Sequence, residues 1–330
     1  MENSFYIKPP ENKLTEEKSE IRNAALYIGI AMIITWCISR GWSVFYFAIM
    51  GLFGYDSADA SLLFRDPVVS RIINSLLSTI SFTLPFMIIP SGCGMRLSEV
   101  VHFKKPQKGT FLPSMLIAAG ICGFSNIASS LMLSFIGGLG VKIPDAGAAP
   151  TLPANPFGIA VTFIGTVILA PLVEEFAFRG VVLGSLRKYG DGLAITLSAL
   201  LFGLVHGNLR QIPFAFLSGL VLGFITVKSG SLWVSIIAHL FNNGVAFLST
   251  LLADHLAPQI LLILNAGMMI ILTAFLFLTV LVLGERSRDF FKLNKSDTET
   301  PESGLGIIFF TSPFIIIYVI LVIIRVASTF

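Results

Sequence analysis

The sequence predicts an all-α fold, a polytopic bundle of transmembrane helices, and three observations carry that expectation. Hydrophobic residues make up 55% of the 330 positions, charged residues only 12%, and the mean hydropathy is +0.85. Soluble globular chains carry roughly twice that charged fraction, so a water-facing surface cannot be built from these residues. A soluble enzyme, a disordered chain and a nucleic-acid binder are excluded as classes, because the net charge of +3 is also too small and too scattered for a basic groove. Finally, the apolar residues fall in runs of the length that crosses a bilayer, about 20 residues each.

Those runs lie at 23–52, 69–91, 112–137, 157–187, 191–207, 209–228, 231–254, 257–284 and 305–325, which gives about nine spans. The fifth is short and Pro213 interrupts the sixth. Basic residues cluster in 92–111 (Arg96, Lys104, Lys105, Lys108) and 285–304 (Arg286, Arg288, Lys292, Lys295), with Arg187, Lys188 and Lys228 on the same side if the spans alternate. The opposite loops hold Asp56, Asp59, Asp66, Asp145 and Asp254, and 143–156 reads as an outer loop rich in Pro and Ala. The positive-inside rule then expects a cytoplasmic N-terminus, a C-terminus outside and a multi-pass protein of the plasma membrane. The first 22 residues are polar and mixed in charge, with no cleavable signal pattern. Cys37, Cys93 and Cys122 are odd in number and widely spaced, which supports neither a disulfide framework nor a cysteine metal cluster.

Ionisable side chains inside spans are costly unless paired or facing a hydrated cavity, so they point to a site. In the fourth run, Glu175 and Arg179 are four apart with the acid first, the favourable order for a helical pair. Glu174 sits about 100° around the helix, left without that partner and free to face a cavity as a general base. The alternative is a triad that only locks helices together. In the fifth run Phe202 and His206 share a face, and in the seventh His239 and Asn243 do the same. Taken singly, either histidine could equally be structural, and such polar residues often act as interhelical glue. Measured from the basic ends at about 1.5 Å per residue, Glu174, His206 and His239 lie about 20, 24 and 13 Å deep, a spread that tilt can remove. The pairs Gly180/Gly184, Gly203/Gly207 and Gly219/Gly223 have the spacing of close helix packing. His102 and His255 read as loop or interfacial side chains.

Glu174-Glu175-x-x-x-Arg179, Phe202-x-x-x-His206 and His239-x-x-x-Asn243, in this order, resemble the three motifs of the CAAX protease and bacteriocin-processing (CPBP) family, intramembrane endopeptidases that include the Rce1-like proteins. The resemblance would make 155–255 a catalytic core, set between a polar cytoplasmic segment (1–22) with N-terminal membrane helices (23–154) and C-terminal membrane helices (256–330). It implies an active site among the fourth to seventh spans. Glu174 would activate water with help from His206, while His239 and Asn243 would polarise the scissile carbonyl and stabilise the oxyanion. Glu175, Arg179 and Phe202 would support them. No cofactor is required in that scheme. The competing one is Zn²⁺ held by Glu174, His206 and His239 with an open water position, a known catalytic ligand set. It ranks second because Glu175, engaged by Arg179, leaves no spare carboxylate as base. Other intramembrane chemistries lack their signatures: there is no HExxH, Gly190-Asp191 is not in a Gly-x-Gly-Asp pattern, and no Ser sits in a Gly-x-Ser-x-Gly elbow. The expected partners are membrane lipid and a membrane-associated or lipid-anchored protein or peptide substrate, with no nucleic acid. A non-catalytic scaffold or bacteriocin-immunity protein is the main competitor. A transporter is third, since no paired halves are visible.

Overall fold

Most of the apolar runs become single long helices in the computed structural model, which describes residues 11–329 apart from 57–58, 60, 62–64, 144–151, 154, 254 and 297. Asp145, Asp254, residues 1–10 and most of the 143–156 loop therefore lie outside the described residues. In chain order the helices are α1 (Glu11–Leu52), α2 (Pro67–Thr83), α3 (Phe111–Gly138), α4 (Pro156–Tyr189, with changes of winding), α5 (Asp191–Val205), α6 (Ile212–Ser229), α7 (Leu232–Ala253), α8 (Pro258–Leu283), α9 (Glu302–Phe310) and α10 (Pro313–Ala327). Short turns carry α2 on to Gly92. No strand occurs among the described residues.

Seven helices are long and apolar enough to cross a membrane, or eight if α9 and α10 count as one span, against about nine expected. Two local causes account for the difference. The first is length: α5 has 15 residues, about 22 Å at 1.5 Å per residue, short of the roughly 30 Å hydrocarbon core. The second is Pro313. A proline disfavours helical backbone in the residue before it, and Ser312 is extended (φ −64°, ψ 129°), so α9 and α10 meet at 67°. Pro213, expected to interrupt the sixth run, instead lies in the first turn of α6, where its missing N–H costs nothing. Helix α1 begins inside the segment expected to be a polar tail.

The charged end of the bundle is tied by named contacts. Buried Glu17 accepts from the backbone N–H groups of Glu299 and Thr300 and from the Thr300 hydroxyl, at 2.9–3.0 Å. Lys188 pairs with Glu20 at 2.7 Å, and Asp191 accepts from Arg187 and from the Asn294 N–H. The Leu232 N–H donates to His102 O, the Gln107 N–H to Ser229 O, and Ser231 Oγ bonds Lys104 O. The segments that carry most of the basic residues thus share one end of the fold.

At the centre lies the second half of α4. Every residue from Ala177 to Leu183 is buried, and the apolar ones share one core cluster with Ile28 and Met32 of α1, Phe86, Leu201 of α5 and Tyr318 of α10. Close approach there depends on absent side chains. A Cβ on Gly184 would sit 2.5 Å from Val100 O, and one on Gly219 would lie 3.1 Å from Ala199 Cα and 3.3 Å from Arg179 Nη2. Gly207 differs from the packing role expected for it. Its φ is +61° and it turns the chain out of α5, a conformation that suits a residue without Cβ.

Gly184→Ala should destabilise the protein by about 1–3 kcal/mol through overpacking against a backbone carbonyl. Gly137→Ala, in open space on α3, should be neutral or slightly stabilising. Thermal unfolding of the two purified variants in one detergent checks both; equal shifts would contradict the packing account.

Candidate active site

The site begins with a proline inside α4. Pro171 has no N–H for the preceding turn, and its ring crowds the carbonyl four residues back. Around it the winding widens to π-helix over Ile164–Leu169, tightens over Ala170–Glu175 and widens again over Phe176–Val182. Such wide turns within helices concentrate at functional sites. Glu174 and Glu175 end the tight segment between them.

Glu175 is fully buried, and its Oε1 accepts two hydrogen bonds, from Arg179 Nη1 at 3.0 Å and from His239 Nδ1 at 2.8 Å. The helical Glu175–Arg179 pair is thus formed as its spacing implies. The bond to α7 was not foreseen. Arg179, 1% exposed, places its guanidinium carbon 4.1 Å from the centre of the Phe202 ring, a cation–π contact in a desolvated setting. Phe202 also stands perpendicular to both imidazoles, with ring centres 5.1 Å from His206 and 5.7 Å from His239. One aromatic ring therefore spaces both histidines and the arginine.

Hydrogen-bond logic assigns the tautomers. A carboxylate and a carbonyl only accept, so His239 Nδ1, facing Glu175, carries hydrogen, as does His206 Nδ1, 2.9 Å from Phe202 O. Each imidazole keeps Nε2 for other partners. The His239 Nε2 atom lies 3.8 Å from Glu174 Oε2, close enough for electrostatic coupling and too far for a hydrogen bond. Asn243 accepts from Asn242 Nδ2 at 3.1 Å and donates one Nδ2–H to Thr166 O, in the first wide turn of α4, at 2.9 Å.

Glu174, His206, His239 and Asn243 all line one cavity of about 270 Å³. Glu175 and Arg179 lie behind its wall, and Phe202 forms part of it. The structure thus brings together every site residue that the sequence singled out. It also adds residues that sequence reasoning missed. Helix α3 contributes Ala118, Ile121 and Cys122, and Gln211, Ser218 and Asn242 supply further polar groups. Cys122 Sγ donates to Asn242 Oδ1 at 2.9 Å, which ties α3 to the amide pair on α7. The adjacency of Asn242 to Asn243 was a usable signal; Cys122, in an apolar run, gave none. Among the described residues no group of three or more His, Cys, Asp or Glu side chains gathers closely enough to hold a metal ion.

A membrane-spanning helical bundle enclosing a buried acid–arginine–histidine network and a polar cavity defines the class: a polytopic membrane protein with an internal site. Residues 156–245 match the family of type II CAAX prenyl endopeptidase Rce1-like proteins, which supports the resemblance to the CPBP family. It is 29% identical over 159 residues to the membrane-embedded CAAX protease MroQ of Staphylococcus aureus, covering 46% of this chain and 63% of that one. It is 30% identical over 86 residues to YdiL of Bacillus subtilis, covering 26% and 35%. The chain therefore spans less than two thirds of the curated relatives it matches. No solved structure matches it.

Removing one member of the buried pair leaves an uncompensated charge, which typically costs about 3–5 kcal/mol. Glu175→Leu should therefore lower stability steeply. Glu175→Leu/Arg179→Met should recover part of the loss, because an apolar pair can replace a buried ion pair. Unfolding midpoints of the single and double variants decide this, and a double variant worse than the single would contradict it.

Proposed function

We propose that the chain is an intramembrane endopeptidase that hydrolyses a peptide bond in a membrane-associated or lipid-anchored protein or peptide. The observation that carries this reading is the single cavity shared by Glu174, His206, His239 and Asn243. Glu174 accepts a proton from a water as its oxygen attacks the scissile carbonyl carbon. His206, with Nδ1–H committed to Phe202 O, offers Nε2 as a second acceptor that orients the same water. The carbonyl oxygen becomes an oxyanion between two donors, His239 Nε2–H and the second Nδ2–H of Asn243. Collapse of the tetrahedral species breaks the C–N bond, and the proton held by Glu174 passes to the departing amine.

The oxyanion role requires His239 as an imidazolium, with Nδ1–H on Glu175 and Nε2–H toward the cavity. Histidines held through Nδ1 with Nε2 free are also the usual arrangement of metal ligands, and Glu174 with the two imidazoles is a zinc-type donor set. We propose the metal-free scheme, in which Glu174 itself takes the proton from the attacking water. Loss of cleavage on chelation, restored by added Zn²⁺, would overturn the metal-free reading.

The name of MroQ speaks of a CAAX protease, and by that likeness the substrate here is held at or in the membrane. By the positive-inside rule the charged end tied by Glu17 and Lys188 faces the cytoplasm, with the protein in the plasma membrane.

Glu174→Ala, His206→Ala and His239→Ala should each lower cleavage by about 10²–10⁴-fold, the usual worth of general acid–base catalysis, while the protein still inserts. Asn243→Ala should cost about 10²–10³-fold, as for other oxyanion donors. The measurement compares new N- and C-termini in the membrane proteome with wild type and with Glu174→Ala. Normal proteolysis by purified Glu174→Ala would remove the general-base assignment. Motif variants that keep their full biological effect would instead favour a scaffold or immunity protein.

A further inference from the structure

A second polar pocket lies behind the turn that follows His206. Helices α1, α5 and α10 enclose a space of about 30 Å³ lined by Trp36, Arg40, Gly207, Tyr318 and Arg325. Its polar chemistry is one-sided. Two guanidinium groups, an indole N–H and a phenol reach it, and no carboxylate does. Among the described residues Trp36 Nε1, Tyr318 Oη and Arg325 Nε are buried and have no hydrogen-bond partner, and Tyr318 is only 1% exposed. The neighbouring hydroxyls do not answer them: Thr35 donates to Ser81 O and Ser39 to Thr35 O, both at 2.8 Å.

The two arginines also face each other. A Cβ on Gly207 would lie 3.6 Å from Arg40 Nη2 and 3.5 Å from Arg325 Cγ, so both side chains cross above the same backbone turn. Among the described residues neither arginine pairs with an acid, and Arg325 is a charged neighbour of Arg40. Like charges this close repel, and buried donors without acceptors are costly. A single anion with several acceptor oxygens relieves both at once.

We infer that Arg40, Arg325, Trp36 and Tyr318 form a phosphate-binding site, and that its occupant is the headgroup phosphate of an anionic phospholipid. Position favours the lipid source. Arg40 is the penultimate residue of the apolar stretch Lys13–Gly41, and Arg325 lies in the last turn of α10. Trp36 sits one turn deeper on α1. Long basic side chains near helix ends, with tryptophan beside them, reach from just inside the core to headgroup level. The pocket admits one or two oxygen atoms rather than a whole ligand, and Arg40 is exposed, so the rest of the headgroup stays outside. The bound phosphate rests against Gly207 and braces the turn that carries His206 from the side opposite the catalytic cavity. The site stands whether or not the chain is a protease.

Native mass spectrometry of the full-length protein in detergent tests this with three probes: phosphatidylglycerol, diacylglycerol of the same acyl chains, and inorganic phosphate. Phosphatidylglycerol should bind wild type at least about tenfold more tightly than Arg40→Gln/Arg325→Gln, the loss expected for removing two interfacial cations. Arg40→Lys/Arg325→Lys should keep most of the binding, and diacylglycerol should not compete. Arg40→Gln alone, at an exposed position, carries the comparison if the double variant fails to fold. Equal lipid binding by wild type and the Gln variants would overturn the site. Displacement of the lipid by inorganic phosphate at equal concentration would overturn the lipid as occupant.

Discussion

An arginine cannot lie among apolar helices without an acid, and here that acid is Glu175, whose one oxygen, Oε1, serves both Arg179 and His239. The rest of the site follows from this sharing. Because the carboxylate only accepts, His239 must place its hydrogen on Nδ1, which turns Nε2 toward Glu174 and the cavity. Because Arg179 must also lie against something, its face stacks on Phe202. The same ring then stands between the two imidazoles. One electrostatic requirement on α4 therefore orients residues on α5 and α7. Among the described residues Glu174 is left with no hydrogen-bond partner to occupy its carboxylate, His239 Nε2 lying 3.8 Å away.

The helices can meet this requirement because α4 is irregular and its neighbours are small. Pro171 and the two wide turns bring successive glutamates to different jobs, one inside the wall and one in the cavity. The carbonyl of Thr166, in the first wide turn, holds Asn243. On α6, Gly219 lets the backbone ride against Ala199 and the tip of Arg179. A side chain there would push the guanidinium from its place over Phe202. The small-residue stripe does no chemistry, yet it sets the distance at which the chemistry is arranged.

Much of this was legible in the sequence because it is local. The Glu175–Arg179 pair and the shared faces of Phe202/His206 and His239/Asn243 are consequences of helical period, and the period is written in the residue order. The apolar runs were equally plain, although their ends were not. Pro213 starts a helix and Pro313 breaks one, and the difference lies in what each proline's neighbours can adopt. Contacts between helices were not legible. Nothing in the spacing of Glu175 and His239 announces their bond, and Cys122 reads as one more apolar residue of α3 until it meets Asn242. Arg40 and Arg325 lie near opposite ends of the chain, so only the fold brings them over Gly207.

The short fifth helix, a deficit as a membrane span, is what puts His206 on the cavity wall. Asp191 is fixed at the charged end through Arg187 and Asn294. Fifteen residues later the helix stops, about 22 Å on and still within a core of about 30 Å. The backbone from His206 to Gln211 must then turn at a depth where unpaired peptide groups are not tolerated unless buried in protein or facing water. Part of the need is met internally. Asn208 Oδ1 accepts from the Gln211 N–H at 2.9 Å, and Asn208 Nδ2 donates to Gln211 Oε1 at 2.6 Å. Gln211 also lines the cavity that holds Glu174 and His206, while Gly207 backs onto the two arginines. An irregular turn at this depth is stable only with polar surroundings on both faces. Polar groups on both faces of the turn, Gln211 and His206 toward one cavity and Arg40 and Arg325 toward the other, meet that need.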